Sequence, residues 1–193
     1  MRLASITTIV LILFSLHGMT QEKEQDLCSR TRNLSTADIM SRFPFSKAKV
    51  IKVVSFKKPS KEAIEWQIPK TVNGKIDMTR LFEVKALDAS QTARLMDILM
   101  NYGYVPLSSN KAEKNVRVNL CYYPRHAILF EDRGSNILGY IEICIECLRY
   151  KTQPETLDVG EFCFDKYKLL EDFFRDVGIA YGIGQHGMPW IED

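Results

Sequence analysis

Residues 126–147 read HAILFEDRGSNILGYIEICIEC. Two strand-like runs flank a turn at residues 133–136, so the stretch predicts an antiparallel β-hairpin. With Gly and Ser at the tip, Ile128 lies opposite Ile141, and the isoleucines of both strands share one face. A slip of one residue would divide them between the two faces of the sheet. The pattern therefore predicts both the hairpin and its register.

Further elements of both types surround this hairpin. The predicted strands are 49–56, 63–68, 81–87, 126–132 and 137–147, and the predicted helices lie between 88 and 103 and over 166–177. The order of strands, helix, strands and helix predicts an α+β fold, with a mainly antiparallel sheet and two helices covering one face. The connections are too short for repeated parallel crossovers. A polar loop is expected over residues 151–160.

The N-terminus has the pattern of an export signal. Arg2 precedes an apolar run, residues 6–16, and small residues follow up to Thr20, so cleavage is expected before Gln21. The apolar run is too short to cross a bilayer as a helix. The domains predicted are a signal peptide (1–20), a polar N-terminal segment (21–46), an α+β domain (47–182) and an irregular tail (183–193). The mature protein is expected to be secreted or periplasmic, without a transmembrane segment.

The charge balance argues against one class of partner. The chain has 26 Lys and Arg against 24 Asp and Glu, a net charge of +2. A protein that binds nucleic acid needs a concentrated basic surface to neutralise phosphates. No nucleic-acid partner is expected, and no feature of the sequence indicates another partner.

The chain has five cysteines, and outside the cytoplasm an odd number leaves at least one free, bound to a metal or paired with another chain. Pro124 cannot donate to a β-ladder, so a one-residue bulge is expected near it. Such a bulge would place Cys121 opposite Cys147. Cys144 and Cys163 would then remain as the second disulfide pair.

A metal site is the alternative interpretation of the same residues. Cys121, Cys144 and Cys147, with His126 or Cys163, supply the four ligands typical of a closed zinc site, and copper is a second candidate. In a regular strand, however, Cys144 points away from the face that carries His126 and Cys147. The CxxC spacing of residues 144–147 is not a haem-attachment site, because Leu148 stands where that motif has histidine.

Arg125 and His126 allow two interpretations. His126 is either a ligand or general base, or a hydrogen-bonded histidine in the core. Arg125 is either an anion clamp or the ion-pair partner of Glu142 or Glu146. These two glutamates share one face of the predicted strand, as paired carboxylates or as a solvated surface. A thiol enzyme would pair His126 with one of the CxxC cysteines, but no orienting third group is evident.

Two segments resemble a group of small exported bacterial proteins of unknown function. Residues 121–127 read CYYPRHA and residues 141–147 read IEICIEC, similar to that group's C-x-x-P-R-H-A and I-C-F-x-C motifs, with Ile145 in place of the aromatic residue. The resemblance covers residues 82–182 and implies no chemistry. It implies that one constellation is formed by Cys121, Arg125, His126, Cys144, Cys147 and Cys163.

These patterns together favour a non-enzymatic exported domain, stabilised by disulfides and without a cofactor, that binds a partner or associates with the cell envelope. One alternative is a metal-binding protein that uses the Cys/His cluster with zinc or copper. The other is a thiol-dependent hydrolase or redox protein.

Overall fold

The structure is a computed structural model that describes residues 28–57, 67–105 and 121–184. Within these ranges it contains both helices and antiparallel strands, which confirms the α+β class. The helices are α1 (Thr36–Met40), α2 (Ala89–Asn101) and α3 (Phe164–Asp176). The strands are β1 (Cys28–Arg30), β2 (Val50–Phe56), β3 (Leu81–Ala86), β4 (Tyr102–Tyr104), β5 (His126–Glu131), β6 (Ile137–Cys144) and β7 (Arg149–Gln153). The predicted leader and most of the predicted strand 63–68 and of the tail lie outside the described residues.

Five strands form one antiparallel sheet in the order β3-β2-β5-β6-β7. Its centre is the β5–β6 hairpin, where Ile128 pairs with Ile141 and Phe130 with Gly139. This is the register that the apolar pattern predicts. β1 and β4 pair in a separate two-stranded sheet. None of the helices within the described residues has both the length and the apolar character that a membrane crossing requires.

The large sheet has a buried cluster on each face. On the face that we call the helix face, Ile128 and Ile141 pack with residues of α2 and α3, such as Leu99 and Phe173. The opposite face, which we call the outer face, has a smaller cluster. Its members are Val54, Phe56, Ile68, Ala127, Leu129 and Tyr140. The two long helices therefore cover one face, as predicted, and leave the other to loops.

The end of the hairpin differs from the prediction. β6 stops at Cys144 rather than continuing to residue 147, and residues 145–148 form a turn in which Leu148 has a φ of 52°. The chain then returns as β7, in part of the segment expected to be a polar loop. An edge strand needs little apolar surface, because it pairs with only one neighbour. The turn is what brings Cys147 back toward the segment before β5.

A buried lysine joins α2 to α3. Lys166 is fully buried, and its Nζ atom donates to the carbonyl oxygens of Leu99, at 2.8 Å, and Glu161. Burial lowers the pKa of Lys166 to about 7. The Leu99 carbonyl lies in the last turn of α2, where carbonyls have no partner within the helix. Gly160 passes against the same carbonyl, with a φ of 70°.

The N-terminal segment is held to the domain. β1 pairs with β4, and the backbone amide of Leu34 donates to the Oδ1 atom of Asn101 at 2.8 Å. Asn101 is buried and returns a hydrogen bond from Nδ2 to the carbonyl oxygen of Leu34 at 3.0 Å. Residues 28–34 of the predicted polar segment are thus a docked part of the fold.

Candidate functional site

A cleft opens on the outer face beside β6 and β7. Its volume is about 570 Å³, within the range of roughly 300–1,000 Å³ that is typical of small-molecule sites. Charged, amide and aromatic side chains supply most of its surface. The lining residues are Gln67, Lys70, Tyr140, Glu142, Tyr150, Lys151, Thr152, Gln153 and Glu155.

The backbone brings three separate segments to this cleft. In the β6–β7 ladder Glu142 pairs with Lys151, and because side chains alternate, both project from the outer face. Lys70 comes from a loop that reverses at Gly74 and is closed by a bridge between Lys70 and Ile76. The Asn73-Gly74 pair is a typical tight-turn sequence, so this part of the site has a local sequence cause.

Glu142 forms the buried floor of the site. Only 4% of the residue is exposed, and its Oε1 atom accepts a hydrogen bond from the backbone amide of Ile68. The phenol of Tyr122 donates to Oε2 at 3.3 Å. Burial raises the pKa of Glu142 although Lys70 and Lys151 both act to lower it. The interpretation of Glu142 as part of a solvated face is therefore wrong.

The basic side chains around Glu142 lie against aromatic rings. The Nζ atom of Lys151 lies 4.4 Å from the ring centroid of Tyr122, and that of Lys70 lies 5.7 Å from the centroid of Tyr140. Arg149 lies 5.6 Å from the Tyr122 ring. These are distances at which a cation is attracted to the face of a ring. These rings attract the basic groups without neutralising their charge.

The structure joins two pairs of cysteines. Cys121 and Cys147 are bonded, the pair that a bulge near Pro124 predicts, although here the turn after β6 brings them together. The second disulfide joins Cys28 to Cys163. The predicted pair of Cys144 with Cys163 is wrong, because the docked N-terminal segment places Cys28 beside the start of α3.

Cys144 is the free cysteine of the described chain, and it is buried. The backbone amide of Tyr123 donates to its Sγ atom at 3.3 Å. Burial raises the pKa of the thiol to about 11, so at neutral pH it is protonated and a poor nucleophile.

The predicted metal ligands are not assembled. Cys121 and Cys147 are bonded to each other, which removes two of the four proposed ligands. His126 lies opposite Ile143, and both side chains point to the helix face. Cys144 follows Ile143 in the same strand and therefore points to the outer face. Over residues 28–57, 67–105 and 121–184, no group of three or more His, Cys, Asp or Glu side chains could hold a metal ion. Because His126 and Cys144 lie on opposite faces of the sheet, they do not form the predicted catalytic pair.

His126 belongs to the core. It is fully buried, its ring lies 5.3 Å from that of Phe174, and its Nε2 atom lies 2.8 Å from the carbonyl oxygen of Tyr181. Because a carbonyl only accepts, Nε2 carries the proton. Burial lowers the pKa of His126 to about 4, so the ring is neutral at physiological pH.

Arg125 pairs with Glu146, one of the two partners predicted for it. The Arg125 side chain is 3% exposed and that of Glu146 is 18% exposed, and the Nη1 atom of Arg125 lies 3.4 Å from a carboxylate oxygen of Glu146. The two side chains therefore form a partly buried ion pair. Arg125 is not presented to the cleft as an anion clamp.

The sequence did not reveal the basic residues of the cleft. Lys151 lies in a segment expected to be a loop, and Lys70 precedes a turn without any functional pattern. The alternation of Arg149, Lys151 and Gln153 was the available signal, since period-two polarity is typical of an exposed strand face.

Comparison with protein-family models, with curated proteins and with solved structures finds no match to the chain. The resemblance to small exported bacterial proteins therefore stays a prediction, and the site must be interpreted from its own geometry.

Proposed function

We propose that the protein is an exported, disulfide-stabilised binding domain without enzymatic activity, and that it binds a small polar molecule in the cleft on its outer face. The cleft carries this proposal, because it combines a volume suited to a small ligand with charged, amide and aromatic groups directed at one space. Such a combination orients a ligand through hydrogen bonds and packs it against rings.

The state of the cysteines supports the exported location. Two disulfides within one small domain are typical of oxidising compartments outside the cytoplasm. They also hold two segments that border the domain, the docked β1 and the stretch before β5. The apolar leader of residues 6–16 agrees with the same location.

The chemistry of the buried groups favours binding over catalysis. Nucleophilic catalysis needs a nucleophile activated by a nearby base. Cys144 has a raised pKa, and His126 lies on the other face of the sheet. A carboxyl group held by a backbone amide and a phenol, as Glu142 is, provides a fixed, buried floor for the cleft.

A fragment screen by amide chemical shifts tests the proposal. With a library of neutral, anionic and cationic compounds, we expect the hits to shift residues 67–70, 140–142 and 150–155. The Gln153→Trp variant should lose these hits, because residue 153 lies opposite Tyr140 at the cleft. The matched control is Lys168→Trp, on the exposed side of α3, which should keep them. Hits that cluster elsewhere, or that survive Gln153→Trp, would contradict the proposal.

A further inference from the structure

We infer that the ligand of the cleft is a small anion, such as a sulfate ester or a sugar acid, held between the ammonium groups of Lys70 and Lys151. This inference rests on the proposed function and names the chemical class of its ligand. Two observations carry it: the placement of the two lysines, and the way the Glu142 carboxyl is already occupied.

The two lysines reach the cleft from different elements. Lys151 projects from β7 and Lys70 from the loop closed by its bridge to Ile76, and both line the same cavity. Each ammonium group lies over an aromatic ring, Tyr122 for Lys151 and Tyr140 for Lys70. An aromatic ring attracts a cation but carries no net charge. Within the described residues, these ring contacts leave both positive charges available to a ligand.

The neighbouring carboxyl does not neutralise them by direct contact. The Oε1 and Oε2 atoms of Glu142 accept hydrogen bonds from Ile68 and Tyr122, so its acceptors are turned toward the backbone amide and the phenol. Within the described residues, neither Lys70 nor Lys151 forms a close ion pair with a carboxylate. By contrast, Lys52 on the same sheet reaches Glu131 at 2.8 Å.

Glu142 is the buried carboxyl of the lining. Burial raises its pKa, because the buried position disfavours the ionised form. The remaining carboxylate of the lining, Glu155, is exposed, as are the two lysines. Two ammonium groups at the wall of a partly enclosed cleft attract an anion more strongly than they would on an open surface.

The shape of the site adds a size limit. A cavity of about 570 Å³ exceeds the needs of an inorganic ion and accommodates a ligand the size of a sugar acid. Tyr140 and Tyr150 offer ring surface for the body of such a ligand, and Gln67, Thr152 and Gln153 offer hydrogen bonds. An anionic group between the lysines would orient the molecule, and the rest of the cleft would select its shape.

The test measures the binding of three probes to the purified protein by amide chemical shifts. The probes are sulfate, D-glucuronate and D-glucose. We expect sulfate and D-glucuronate to shift residues 67–70, 140–142 and 150–155, and D-glucuronate to bind at least about tenfold more tightly than D-glucose, since a charge-assisted hydrogen bond contributes that much.

Variants assign the effect to the two lysines. Lys151→Met and Lys70→Met should each weaken D-glucuronate binding about tenfold. Lys168→Met changes the net charge equally on the far side of the molecule and should have no effect. Unchanged binding in both lysine variants would overturn the inference.

The outcomes separate the inference from the proposed function. If D-glucose binds the cleft as tightly as D-glucuronate, or if the fragment screen finds only neutral ligands there, the cleft is a binding site but its ligand is not an anion. If neither the probes nor the fragments reach the cleft, the inference and the proposed function are both wrong.

Discussion

Cys28 is bonded to Cys163, which lies 135 positions later in the sequence. The bond fastens β1, at the beginning of the described chain, to the residue that precedes α3. Cys121 and Cys147 are separated by only 26 positions. The two disulfides therefore restrict the unfolded chain to different degrees.

Removing the Cys28–Cys163 bond should destabilise the protein more than removing the Cys121–Cys147 bond. In the chain-entropy account the longer loop contributes about 5 kcal/mol and the shorter about 3.5 kcal/mol, because a longer closed loop removes more freedom from the unfolded state. Urea unfolding of the two double Cys→Ser variants measures the difference. Equal losses, or a larger loss for the shorter loop, would contradict this assignment of the bonds.

Cys144 should be the one cysteine that alkylates without reduction, and only after unfolding. Its burial and its pKa of about 11 keep the thiol protonated and out of reach in the native protein. Intact mass after iodoacetamide treatment at pH 8 should show no adduct in buffer and one adduct in urea. Cys144→Ser should show none in either condition. Rapid labelling of the native protein, or several adducts in urea, would show that the thiol is accessible or the bonds are absent.

His126 should make the protein less stable in acid. The ring has a pKa of about 4 in the folded protein against a usual value of 6.5, so the unfolded chain binds the proton first as the pH falls. The contribution of neutral His126 to the free energy of unfolding is complete above pH 6.5. It is lost as the pH falls toward 4, by about 3 kcal/mol in total. His126→Gln retains a donor toward the Tyr181 carbonyl and cannot titrate. The stability of the wild type should fall more than that of the variant between pH 7 and 4, and parallel curves would refute the assignment.

Gly160 should tolerate no side chain. A Cβ atom at this position would lie 2.3 Å from the carbonyl oxygen of Leu99, the same oxygen that accepts from Lys166. Gly74 is the matched control, because its φ of 75° is similar to the 70° of Gly160 but nothing lies within 4 Å of its Cβ position. Gly160→Ala should cost at least about 2 kcal/mol more than Gly74→Ala in urea unfolding. An equal loss of stability in the two variants would mean that backbone strain, and not the contact with Leu99, determines the effect of each substitution.

The hairpin could be predicted because its information is local. The period-two pattern of isoleucines determines which residues face each other, and β5 and β6 pair in that register. The end of β6 could not be predicted in the same way. Alternation continues past Cys144 in the sequence, and the turn uses Leu148, a residue without turn preference, at positive φ.

The disulfides show the same limit for distant contacts. The pairing of Cys121 with Cys147 follows from the geometry of one hairpin, whereas Cys28 reaches Cys163 only because β1 pairs with β4. No local sequence pattern indicates that β1 pairs with β4. Assigning Cys163 to Cys144 by elimination was therefore wrong.

The cleft was missed because its residues come from three segments. The sequence predicts that Glu142 shares a strand face with Glu146, but β6 ends at Cys144, and Glu142 instead contacts Tyr122 and lies opposite Lys151. The polar sequence of β7 carries little apolar signal. Tertiary pairing, and not local pattern, brings these side chains together.

The most direct test of the binding cleft is a crystal structure of the protein soaked with D-glucuronate. We predict electron density for the sugar acid on the outer face, with its carboxylate between the Nζ atoms of Lys70 and Lys151 and its ring against Tyr140 or Tyr150. D-Glucuronate bound at another surface while this cleft holds only solvent would contradict the account.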